Sequence, residues 1–597
     1  MKVEHHLGWS MIESGFECSD GARLFYRAWQ PKMPCSHGVR RALVFLHRGH
    51  EHSGRIGALV EQLGFREDWA FAWDARGHGY SPGERGDAPS FAQLVDDFDT
   101  FIRHISKVYE IDVEQIVLVA NSVGAVIAAT WLHDYGPRVR GVIMAAAAFD
   151  IKLYVPLARP ALRLALRFKP SLSVSSYIRS SMLTHSPEQA AAYDGDPLIS
   201  GTISARVLLE LSDTARRIVA DAAAIDTPVL MLVADRDYVV EEAPQRRFYA
   251  SLSSPLKRYI RLDDCFHAIF YESDTELALK ESRRFIDTCF TNSPLPPMHY
   301  LGADSASASA RRYAALQRNE TGKALTRAWF GVQRALLSGI GPLSDGIRIG
   351  LSHGFDSGAA LDYIYENRAG GRAMIGKAID RRYLQAIGWR GIRLRRVQLQ
   401  QVLGSLIAAA DSARPLRILD VAAGGGRYVL ETVKRFQQRE IDVTLCDYAQ
   451  HNLDQARRLA EHLQLRTPVD YQLRDAFSAD SYLPREGQYD IVIVSGLYEL
   501  VSDNAQVMTS LCGIVRVLRP HGHLIYTGQP WHPQLEMIAS TLENHRGVPW
   551  QMRPRPQVEI DALVALAGCR KISTRIGLDG IFTVSLARKG AAPGAGD

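Results

Sequence analysis

The chain has 597 residues, about four times a typical domain length of roughly 150, so two to four domains are expected. Its 70 basic and 65 acidic side chains leave a net charge of only +5, which excludes the dense basic face of a dedicated nucleic-acid binder. A hydrophobic content of 46% and a charged content of 23% are ordinary for globular proteins and exclude extended disorder.

The seven cysteines are an odd number and show neither a CxxC pair nor a Cys/His spacing. This pattern argues against a disulfide framework and a zinc site, and no metal is expected. Residues 1–16 lack the apolar segment of a signal peptide, and no uncharged apolar run reaches the roughly 18–20 residues of a membrane span. We therefore expect a soluble, cytoplasmic protein, and peripheral contact with the inner face of a membrane stays open.

Short apolar, β-branched segments alternate with longer helical stretches in two separate series. This alternation predicts βαβ units and largely parallel sheets, and hence an α/β fold, in both halves of the chain. The predicted strands of the first series are Ala42–His47, Trp69–Trp73, Gln115–Val119, Gly141–Ala147, Val229–Val233 and Lys257–Leu262. Those of the second series are Arg417–Val421, Val443–Asp447, Val469–Leu473, Asp490–Val494 and His523–Thr527.

A segment that is rich in Pro and then in Ser and Ala separates the two series and has the composition of a linker. We predict a first domain over residues 1–292, a linker over 293–310, a helical extension over 311–400 and a second domain over 401–597. The two halves share no repeated motif, so they are expected to carry different functions.

A candidate nucleophile follows the third predicted strand of the first series. This strand continues into ANSVG at residues 120–124, and an Ala-rich helix comes next. A nucleophile on such an elbow needs small residues two positions before and after it, because strand and helix approach closely there. Ala120 and Gly124 meet this need, so Ser122 is predicted as the nucleophile. A serine at an ordinary strand end is the alternative.

An acid and a histidine each follow a later predicted strand of the first series. Asp237 and His267 come in the order Ser, Asp, His that α/β-hydrolases show. His267 is expected to take the proton of Ser122, and Asp237 is expected to orient the imidazole and stabilise the imidazolium. Asp235 is the rival acid.

Two further motifs extend this pattern. They are HRGHEHSGR at residues 47–55 and DARGHGYS at residues 74–81, and a hairpin that begins near Asp20 precedes them. With them, the first half resembles the monoacylglycerol lipase and lysophospholipase branch of the α/β-hydrolase family over roughly residues 10–290. The resemblance implies an α/β-hydrolase fold and a lipid ester substrate such as a monoacylglycerol or a lysophospholipid.

The same resemblance implies an oxyanion hole formed by the backbone N–H groups of Gly49 and Val123. Two such donors are what acyl transfer requires. Arg48 stands where this family usually has glycine. Because this hydrolase branch also contains peptidases and esterases of small molecules, both stay open as alternatives.

A cap over the site is implied for residues 152–226, which interrupt the series of strands. Within it, Leu157–Lys169 is predicted as a helix in which Arg159, Arg163 and Arg167 recur every four residues and form one basic stripe. One interpretation is an interfacial element that meets an anionic lipid surface. The other is a helix packed on the core with its arginines outward.

The second series opens with a glycine-rich loop between a strand and a helix. Asp420 precedes the loop AAGGGR at residues 422–427, where backbone and a nucleotide-like ligand can approach closely. Asp447 ends the next strand, where a carboxylate can accept both ribose hydroxyls. Asp475 and Ala476 follow the third strand, where a carboxylate can take an adenine amine.

These elements resemble the class I S-adenosylmethionine-dependent methyltransferases over roughly residues 400–590. The resemblance implies a Rossmann-like fold with S-adenosylmethionine as the cofactor, and Ala422 stands where the first glycine usually lies. A Rossmann fold that binds NAD is the alternative, which the Asp-Ala-Phe element disfavours. The residues implied in binding the donor are Asp420, Ala422, Gly424, Gly426, Asp447, Asp475 and Ala476.

The helical extension over residues 311–400 has three open interpretations: a lid on the donor site, a binding element for the acceptor, or a scaffold between domains. The chain as a whole is interpreted as a bifunctional enzyme of lipid metabolism, a serine ester hydrolase fused to a methyltransferase. The alternative is that one domain is inactive and regulatory. The acyl substrate, the methyl acceptor and the oligomeric state are not indicated by the sequence.

Overall fold

The computed structural model describes residues 3–6, 9–33, 35–318, 320, 324–411, 413–482 and 486–590. The chain divides into two compact units, Met1–Leu295 and Pro296–Asp597.

The first unit is built on a mixed sheet. The described strands of this unit are, in chain order, β1 Val3–His6, β2 Trp9–Glu17, β3 Arg23–Pro31, β4 Ala42–Leu46, β5 Trp69–Trp73, β6 Ile116–Asn121, β7 Gly141–Ala145, β8 Ser173–Ser175, β9 Thr202–Ser204, β10 Val229–Ala234 and β11 Lys257–Leu262. In the described part of the unit, nine of them form one sheet in the order β1-β2-β3-β5-β4-β6-β7-β10-β11. The pairs β1–β2, β2–β3 and β3–β5 are antiparallel, and the remaining pairs are parallel. Every residue of β4, β6, β7 and β10 is buried, as expected for parallel strands with both faces covered.

The helices of the first unit cover this sheet. They are α1 Gly57–Leu63, α2 Phe91–Val108, α3 Val123–Tyr135, α4 Ala158–Phe168, α5 Pro187–Asp194, α6 Ala205–Ala220, α7 Glu242–Ser251 and α8 Glu276–Thr291. The insertion between β7 and β10 contains α4, α5, α6 and the antiparallel β8–β9 pair, and it coincides with the implied cap.

The second unit begins with helices and continues as a second sheet. Its helices are α9 Ala303–Ala306, α10 Ala308–Gln317, α11 Ala324–Gly339, α12 Asp345–His353, α13 Gly358–Glu366, α14 Ala373–Leu384, α15 Ile387–Ala409, α16 Arg427–Lys434, α17 Gln450–His462, α18 Asn504–Val517, α19 Leu535–Thr541 and α20 Gln557–Leu566. Its strands are β12 Leu416–Val421, β13 Ile441–Asp447, β14 Val469–Leu473, β15 Tyr489–Val494, β16 Leu518–Gly528, β17 Cys569–Ile576 and β18 Thr583–Lys589.

The strand order of the second sheet is β14-β13-β12-β15-β16-β18-β17 in the described ranges. The pairs from β14 to β16 are parallel, and β18 is antiparallel to both of its neighbours. The chain moves outward in one direction from β12 to β14 and then returns to the other side of β12 with β15. This reversal is the point at which open α/β sheets bind ligands, beyond the carboxyl ends of the strands.

The predicted fold class is confirmed in both units. Each predicted strand is present, and its ends differ from the predicted ends by at most two residues except at β16, which begins at Leu518. The sequence does not predict β17 and β18, which form the antiparallel edge of the second sheet. β17 reads CRKISTRI, and its basic side chains interrupt the apolar pattern because this strand lies at the end of the sheet.

The segment predicted as a linker, residues 293–310, differs from the expectation. It contains a 3-10 helix over Pro297–Gly302 and continues into α9 and α10. The buried Asn504 donates its Nδ2–H to the Tyr300 carbonyl at 3.0 Å, and Arg553 donates to the Ala303 carbonyl at 3.1 Å. From Pro296 onward the segment is part of the second unit, and its carbonyl groups satisfy buried polar side chains of that unit.

None of the helices in the described ranges is long and apolar enough to span a membrane. The same ranges contain no group of three or more His, Cys, Asp or Glu side chains arranged to hold a metal ion.

Candidate functional sites

Ser122 lies in a strained elbow between β6 and α3. Its φ of 53° and ψ of −112° lie in a region that residues other than glycine rarely adopt. Its N–H donates to the Ala145 carbonyl at 2.9 Å, and its carbonyl accepts from the N–H groups of Ala125 and Ala148, each at 3.1 Å. These three backbone hydrogen bonds hold the side chain at the carboxyl edge of the sheet.

The two small residues on either side of Ser122 differ in whether a Cβ atom fits at their position. A Cβ at Gly124 would lie 2.7 Å from the carbonyl oxygen of His47 and 2.8 Å from that of Leu46, so glycine is required there. Ala120 is fully buried within β6 and keeps its register with Leu46 and Met144 of the two neighbouring strands. The alanine in place of the usual first glycine therefore leaves the elbow intact.

The structure brings Ser122, His267 and Asp237 together as the sequence predicts. His267 Nε2 lies 2.8 Å from Ser122 Oγ, and its Nδ1 lies 2.8 Å from Asp237 Oδ2. The other carboxylate oxygen accepts the N–H groups of Val239 at 2.7 Å and Val240 at 2.9 Å. Burial opposes the ionisation of Asp237, but His267 and these two N–H groups hold its pKa below the usual value.

The rival acid, Asp235, makes other contacts. Its carboxylate accepts the backbone N–H of Cys265 at 3.1 Å, and Arg261 approaches it to 3.9 Å. Asp237 is therefore the acid that is hydrogen-bonded to His267.

The two motifs at residues 47–55 and 74–81 are hydrogen-bonded to each other beside the elbow. His47 Nε2 accepts the Ala75 N–H at 3.0 Å, so Nδ1 carries the proton and donates to the Arg48 carbonyl at 2.6 Å. Asp74 accepts the Ser53 N–H at 2.6 Å. Through these contacts each motif fixes the backbone of the other.

Gly49 lies against the first residue of α3. A Cβ at Gly49 would be only 3.2 Å from Cγ2 of Val123, so the two residues implied in the oxyanion hole are neighbours. Arg48, in place of the usual glycine, turns its guanidinium onto Glu51 with contacts of 2.9 and 2.5 Å and lies 5.1 Å from the ring centroid of Tyr271. The bulky side chain is thus accommodated by a buried ion pair.

The structure shows partners for two of the three arginines in the basic stripe of the cap helix α4. Arg159 forms an ion pair with Asp150, and Arg163 forms one with Asp213 at 2.6 Å, so two of the three arginines are occupied within the first unit. No residue of α4 is fully buried, and several large apolar side chains are exposed at this helix. The apolar residues that are 56–82% exposed on this helix and just before it are Tyr154, Val155, Leu157, Leu164 and Phe168.

The glycine-rich loop after β12 takes three left-handed conformations. Gly424 and Gly426 have φ values of +53° and +61°, and Ala422 has +55°. A Cβ at Gly424 would meet no atom within 4 Å, whereas one at Gly426 would lie 2.6 Å from Leu445. The loop therefore has the expected shape although alanine occupies its first position, and it leaves open space beside Gly424.

Asp447, at the end of β13, is tied to this loop. Its Oδ2 accepts the Gly424 N–H at 2.9 Å, and its Oδ1 accepts from the Ala449 N–H at 2.9 Å and from Asn452 Nδ2 at 3.0 Å. A carboxylate has about four acceptor positions, so one remains for a ligand.

Asp420 is fully buried at the end of β12. Its Oδ1 accepts the hydroxyl of Tyr428 at 2.6 Å, while Oδ2 has no hydrogen-bond partner in the described part of the chain. Burial raises the pKa of Asp420 to about 8, and the nearby charge of Asp447 adds to this shift. An unpaired buried carboxyl oxygen beside an open glycine loop is a feature that a cationic ligand group would satisfy.

Asp475 and Ala476 follow β14 at the same edge of the sheet. Together with Ala422 and Tyr482 they line a small cavity of about 20 Å³. The seven residues implied in donor binding therefore lie at the carboxyl ends of three adjacent parallel strands. Their open loop, free carboxyl oxygen and strand-end acids fit a nucleoside that carries a cationic amino-acid group.

The helical extension packs against the donor loop. Asp362 of α13 accepts from Arg427 at 2.8 Å and from Gln455, and Arg396 of α15 forms an ion pair with Glu431 of α16. Two of its helices thus meet the helix that follows the glycine-rich loop. The single helix α15 runs for 23 residues from these contacts into the core beside the sheet.

Three polar residues near the ends of β15 and β16 were not predicted from the sequence: Glu499, Gln529 and His532. All are buried, with exposed fractions of 7%, 2% and 3%. The available signal was their position, because polar side chains that directly follow buried parallel strands gather at the binding edge of the sheet.

Comparison with known families agrees with this division. The model of a family described as "putative methyltransferase" matches residues 282–589, just over half of the chain. The chain belongs to this family. The model of a second family, described as serine aminopeptidase S33, matches residues 37–274. This member of the putative methyltransferase family is thus a fusion of an α/β-hydrolase unit with a Rossmann-like methyltransferase unit.

One relative matches nearly the whole chain, and others match less than half of it. The Escherichia coli uncharacterized protein YnbC is 41% identical over 577 residues, which cover 96% of this chain and 98% of YnbC. The monoacylglycerol lipase of Mycolicibacterium smegmatis is 25% identical over 279 residues, 46% of this chain and 96% of the lipase. Phospholipase YtpA of Bacillus subtilis is 26% identical over 248 residues, 41% of this chain and 94% of that protein.

Proposed function

We propose that the first unit is a serine ester hydrolase with Ser122 as its nucleophile. The observation that carries this proposal is the position of His267, 2.8 Å from both Ser122 Oγ and Asp237 Oδ2. With Nδ1–H donated to Asp237, Nε2 accepts the serine proton as the hydroxyl attacks an ester carbonyl. Asp237 then stabilises the imidazolium, which returns the proton to the leaving alcohol.

The backbone N–H groups of Gly49 and Val123 stabilise the oxyanion in this proposal. Their residues are neighbours, and Val123 is the first residue of α3, whose N-terminus adds partial positive charge. The fixed backbone around His47 supports this assignment, because it keeps the loop rigid before substrate binds.

A lipid ester, such as a monoacylglycerol or a lysophospholipid, is the proposed substrate class. Two similar proteins are named as a monoacylglycerol lipase and a phospholipase, and the exposed apolar surface at α4 suits contact with a lipid surface. The description of the matching family as a serine aminopeptidase favours a peptidase as the second candidate, since the same triad serves both reactions.

Active-site labelling tests the hydrolase proposal. A fluorophosphonate probe should label the full chain, and Ser122→Ala should abolish both labelling and ester hydrolysis. Ser282→Ala, at a fully buried serine of α8, is the matched control and should keep the label. Labelling that persists in Ser122→Ala would contradict the assignment, and hydrolysis of aminoacyl amides in preference to monoacylglycerol would favour the peptidase.

We propose that the second unit binds S-adenosylmethionine and transfers its methyl group. The carrying observation is the gathering of the glycine-rich loop, Asp447 and Asp475 at the switch point of the sheet. The bound cofactor supplies an electrophilic methyl group. In this proposal Asp420 accepts the ammonium group, Asp447 accepts one ribose hydroxyl at its remaining acceptor position and Asp475 takes the adenine amine.

Calorimetry of S-adenosylmethionine with the full chain tests the donor site. Asp447→Asn should weaken binding by ~1–3 kcal/mol, because a charge-assisted hydrogen bond is lost. Asp442→Asn changes an acid at the other end of the same strand and should have no effect. Binding of NAD in place of S-adenosylmethionine, or no binding at all, would overturn the proposal.

A further inference from the structure

The second unit contains an apolar cavity of about 320 Å³ that none of the residues discussed for the donor lines. Helices α11, α15 and α19 enclose it, together with the segments that follow β15 and β16. Because β15 is the neighbour of β12, the segment after it reaches the same edge of the sheet as the glycine-rich loop. The cavity is therefore on the donor side of the sheet.

Large apolar side chains form most of the cavity wall. They come from separate parts of the chain and include Leu337, Trp389, Ile538, Leu542, Met552 and Phe582. A cavity of this size with such a wall takes a small, mostly apolar molecule.

Several polar groups in the wall are buried and lack partners in the described ranges. Both amide atoms of Gln529, Oε2 of Glu499 and Nε1 of Trp550 have no hydrogen bond. The other oxygen of Glu499 forms an ion pair with Arg395 at 3.3 Å. Unsatisfied buried polar groups destabilise a protein, so a cluster of them on a cavity wall points to a ligand that completes them.

His532 also lines the cavity and adds a hydrogen-bond donor. Burial, aided by the charge of Arg312, lowers the pKa of His532 to about 4, so the ring is neutral at pH 7. Its Nδ1 accepts the Gln534 N–H at 3.1 Å, which leaves the proton on Nε2.

The unpaired groups include acceptors, Glu499 Oε2 and Gln529 Oε1, as well as donors, Gln529 Nε2 and Trp550 Nε1. A hydroxyl group both donates and accepts, and therefore meets both kinds. A carboxylate only accepts, so it would leave Glu499 Oε2 unpaired and add a second negative charge that Arg395 would have to balance. An ammonium group only donates and would leave the amide donor unpaired.

We propose that this cavity binds the methyl acceptor and that the acceptor is a small, largely apolar compound with a hydroxyl group. This inference rests on the proposed methyltransferase function. The hydroxyl donates to Glu499 and accepts from the amide of Gln529. In the reaction its oxygen lone pair forms the bond to the methyl group, the electrons of the broken carbon–sulfur bond stay on the donor, and the hydroxyl proton passes to Glu499.

Three related probes test the proposed chemistry by calorimetry with the full chain. 2-Naphthol carries the hydroxyl, 2-methoxynaphthalene cannot donate, and 2-naphthoic acid is a carboxylate. We expect 2-naphthol to bind at least tenfold more tightly than either of the others. Equal or tighter binding of the ether or the acid would overturn the assignment of a hydroxyl.

Two substitutions locate the binding within the cavity. Gln529→Leu and Glu499→Gln should each weaken 2-naphthol at least tenfold and leave the affinity for S-adenosylmethionine unchanged. Unchanged affinity for 2-naphthol in both variants would place the probe elsewhere and contradict the proposal.

Thermal unfolding separates a role in binding from a structural role. Gln529→Leu removes an unpaired buried amide, so its unfolding temperature should equal or exceed that of the unchanged chain. Gln557→Leu is the matched control, because Gln557 is fully buried but hydrogen-bonded to Asp561 and Thr583, and it should unfold at a lower temperature. An equal loss in both variants would assign Gln529 a structural role and contradict the proposal.

The same measurements distinguish the failure of this inference from that of the methyltransferase function. A chain that binds 2-naphthol but not S-adenosylmethionine would refute the methyltransferase and with it the role of the cavity as an acceptor site. A chain that binds S-adenosylmethionine but not 2-naphthol would refute only the present proposal. Methylation of 2-naphthol that is lost in Glu499→Gln, with unchanged binding of S-adenosylmethionine, would support it.

Discussion

The two candidate sites differ in how far the protein satisfies its own polar groups. In the first unit Ser122, His267 and Asp237 form a continuous chain of hydrogen bonds that backbone N–H groups complete. In the second unit Asp420 and Gln529 keep buried polar atoms without partners in the described ranges. The contrast indicates that the candidate site of the first unit is assembled before substrate arrives, whereas the candidate site of the second unit keeps polar atoms that a ligand would complete.

The largest expected effect is the loss of ester hydrolysis when the acid of the triad, Asp237, is replaced. Asp237→Asn should lower ester hydrolysis by about 10³–10⁴-fold, because the amide cannot hold the imidazole in the required tautomer. Asp235→Asn is the matched control and should change the rate only slightly, since Asp235 contacts the Cys265 backbone instead. Steady-state kinetics on a soluble short-chain ester provide the measurement. Equal losses in the two variants would remove the distinction between these acids.

The second prediction concerns the pH dependence of ligand affinity at the site of the second unit. The raised pKa of Asp420, about 8, keeps it protonated at pH 6–7.5, so it must lose a proton to bind an ammonium group. The affinity for S-adenosylmethionine should therefore rise with pH across this window, by up to about tenfold per unit. Calorimetry with Asp420→Asn should show no such slope. A flat profile in the unchanged chain would place the ammonium group away from Asp420.

The sequence predicted the residues of both candidate sites that lie just past strands, and a local signal marks each of them. Ser122, Asp237 and Asp447 stand next to an apolar run that shows where the strand ends. The apolar wall of the acceptor cavity carries no such signal, because most of it comes from helices that are far apart along the chain. An apolar periodicity shows that a helix face is covered but does not show what covers it.

Two other features depended on tertiary partners that composition does not record. The Pro- and Ser-rich segment around Tyr300 has the composition of a linker, yet Asn504 and Arg553 bind its carbonyl groups. Both interpretations of the basic stripe of α4 leave its arginines unpaired, yet Arg159 and Arg163 form ion pairs with acids elsewhere in the first unit. The sequence positions of those partners give no hint of the pairing.

The third prediction concerns a feature of the first unit outside the triad, the exposed apolar surface at α4. We propose that the exposed apolar surface at α4 contacts a lipid surface. The double variant Leu164→Ser and Phe168→Ser should lose activity on monoacylglycerol vesicles severalfold, since less apolar area enters the headgroup boundary. Activity on a soluble ester should stay the same. Because Arg159 and Arg163 are already paired, added salt should weaken vesicle binding only modestly.

The control for this prediction is the pair Met33→Ser and Val39→Ser, which are exposed apolar residues elsewhere in the first unit. Activity on vesicles should be unchanged in this variant. An equal loss in both double variants, or a loss on the soluble ester, would contradict a specific role for the α4 surface.

The smallest expected effect concerns backbone strain in the donor loop. Ala422 has a φ of +55°, a conformation that costs an alanine ~1–2 kcal/mol. Ala422→Gly relieves this strain but increases the entropy of the unfolded chain by ~0.4–1 kcal/mol. The net result should be a stabilisation of about 0.5 kcal/mol in denaturant unfolding. A loss of stability would show that the methyl group makes contacts worth more than the strain.

Helix α15 gives the two halves of the methyltransferase site a common support. Trp389 and Arg395 near its start line the acceptor cavity, and Arg396, one residue on, holds Glu431 behind the donor loop. A ligand that orders this segment of the helix thereby reduces the disorder left for the other ligand to remove. Donor and acceptor should then bind cooperatively, and each should raise the affinity for the other by the same factor, as thermodynamic linkage requires.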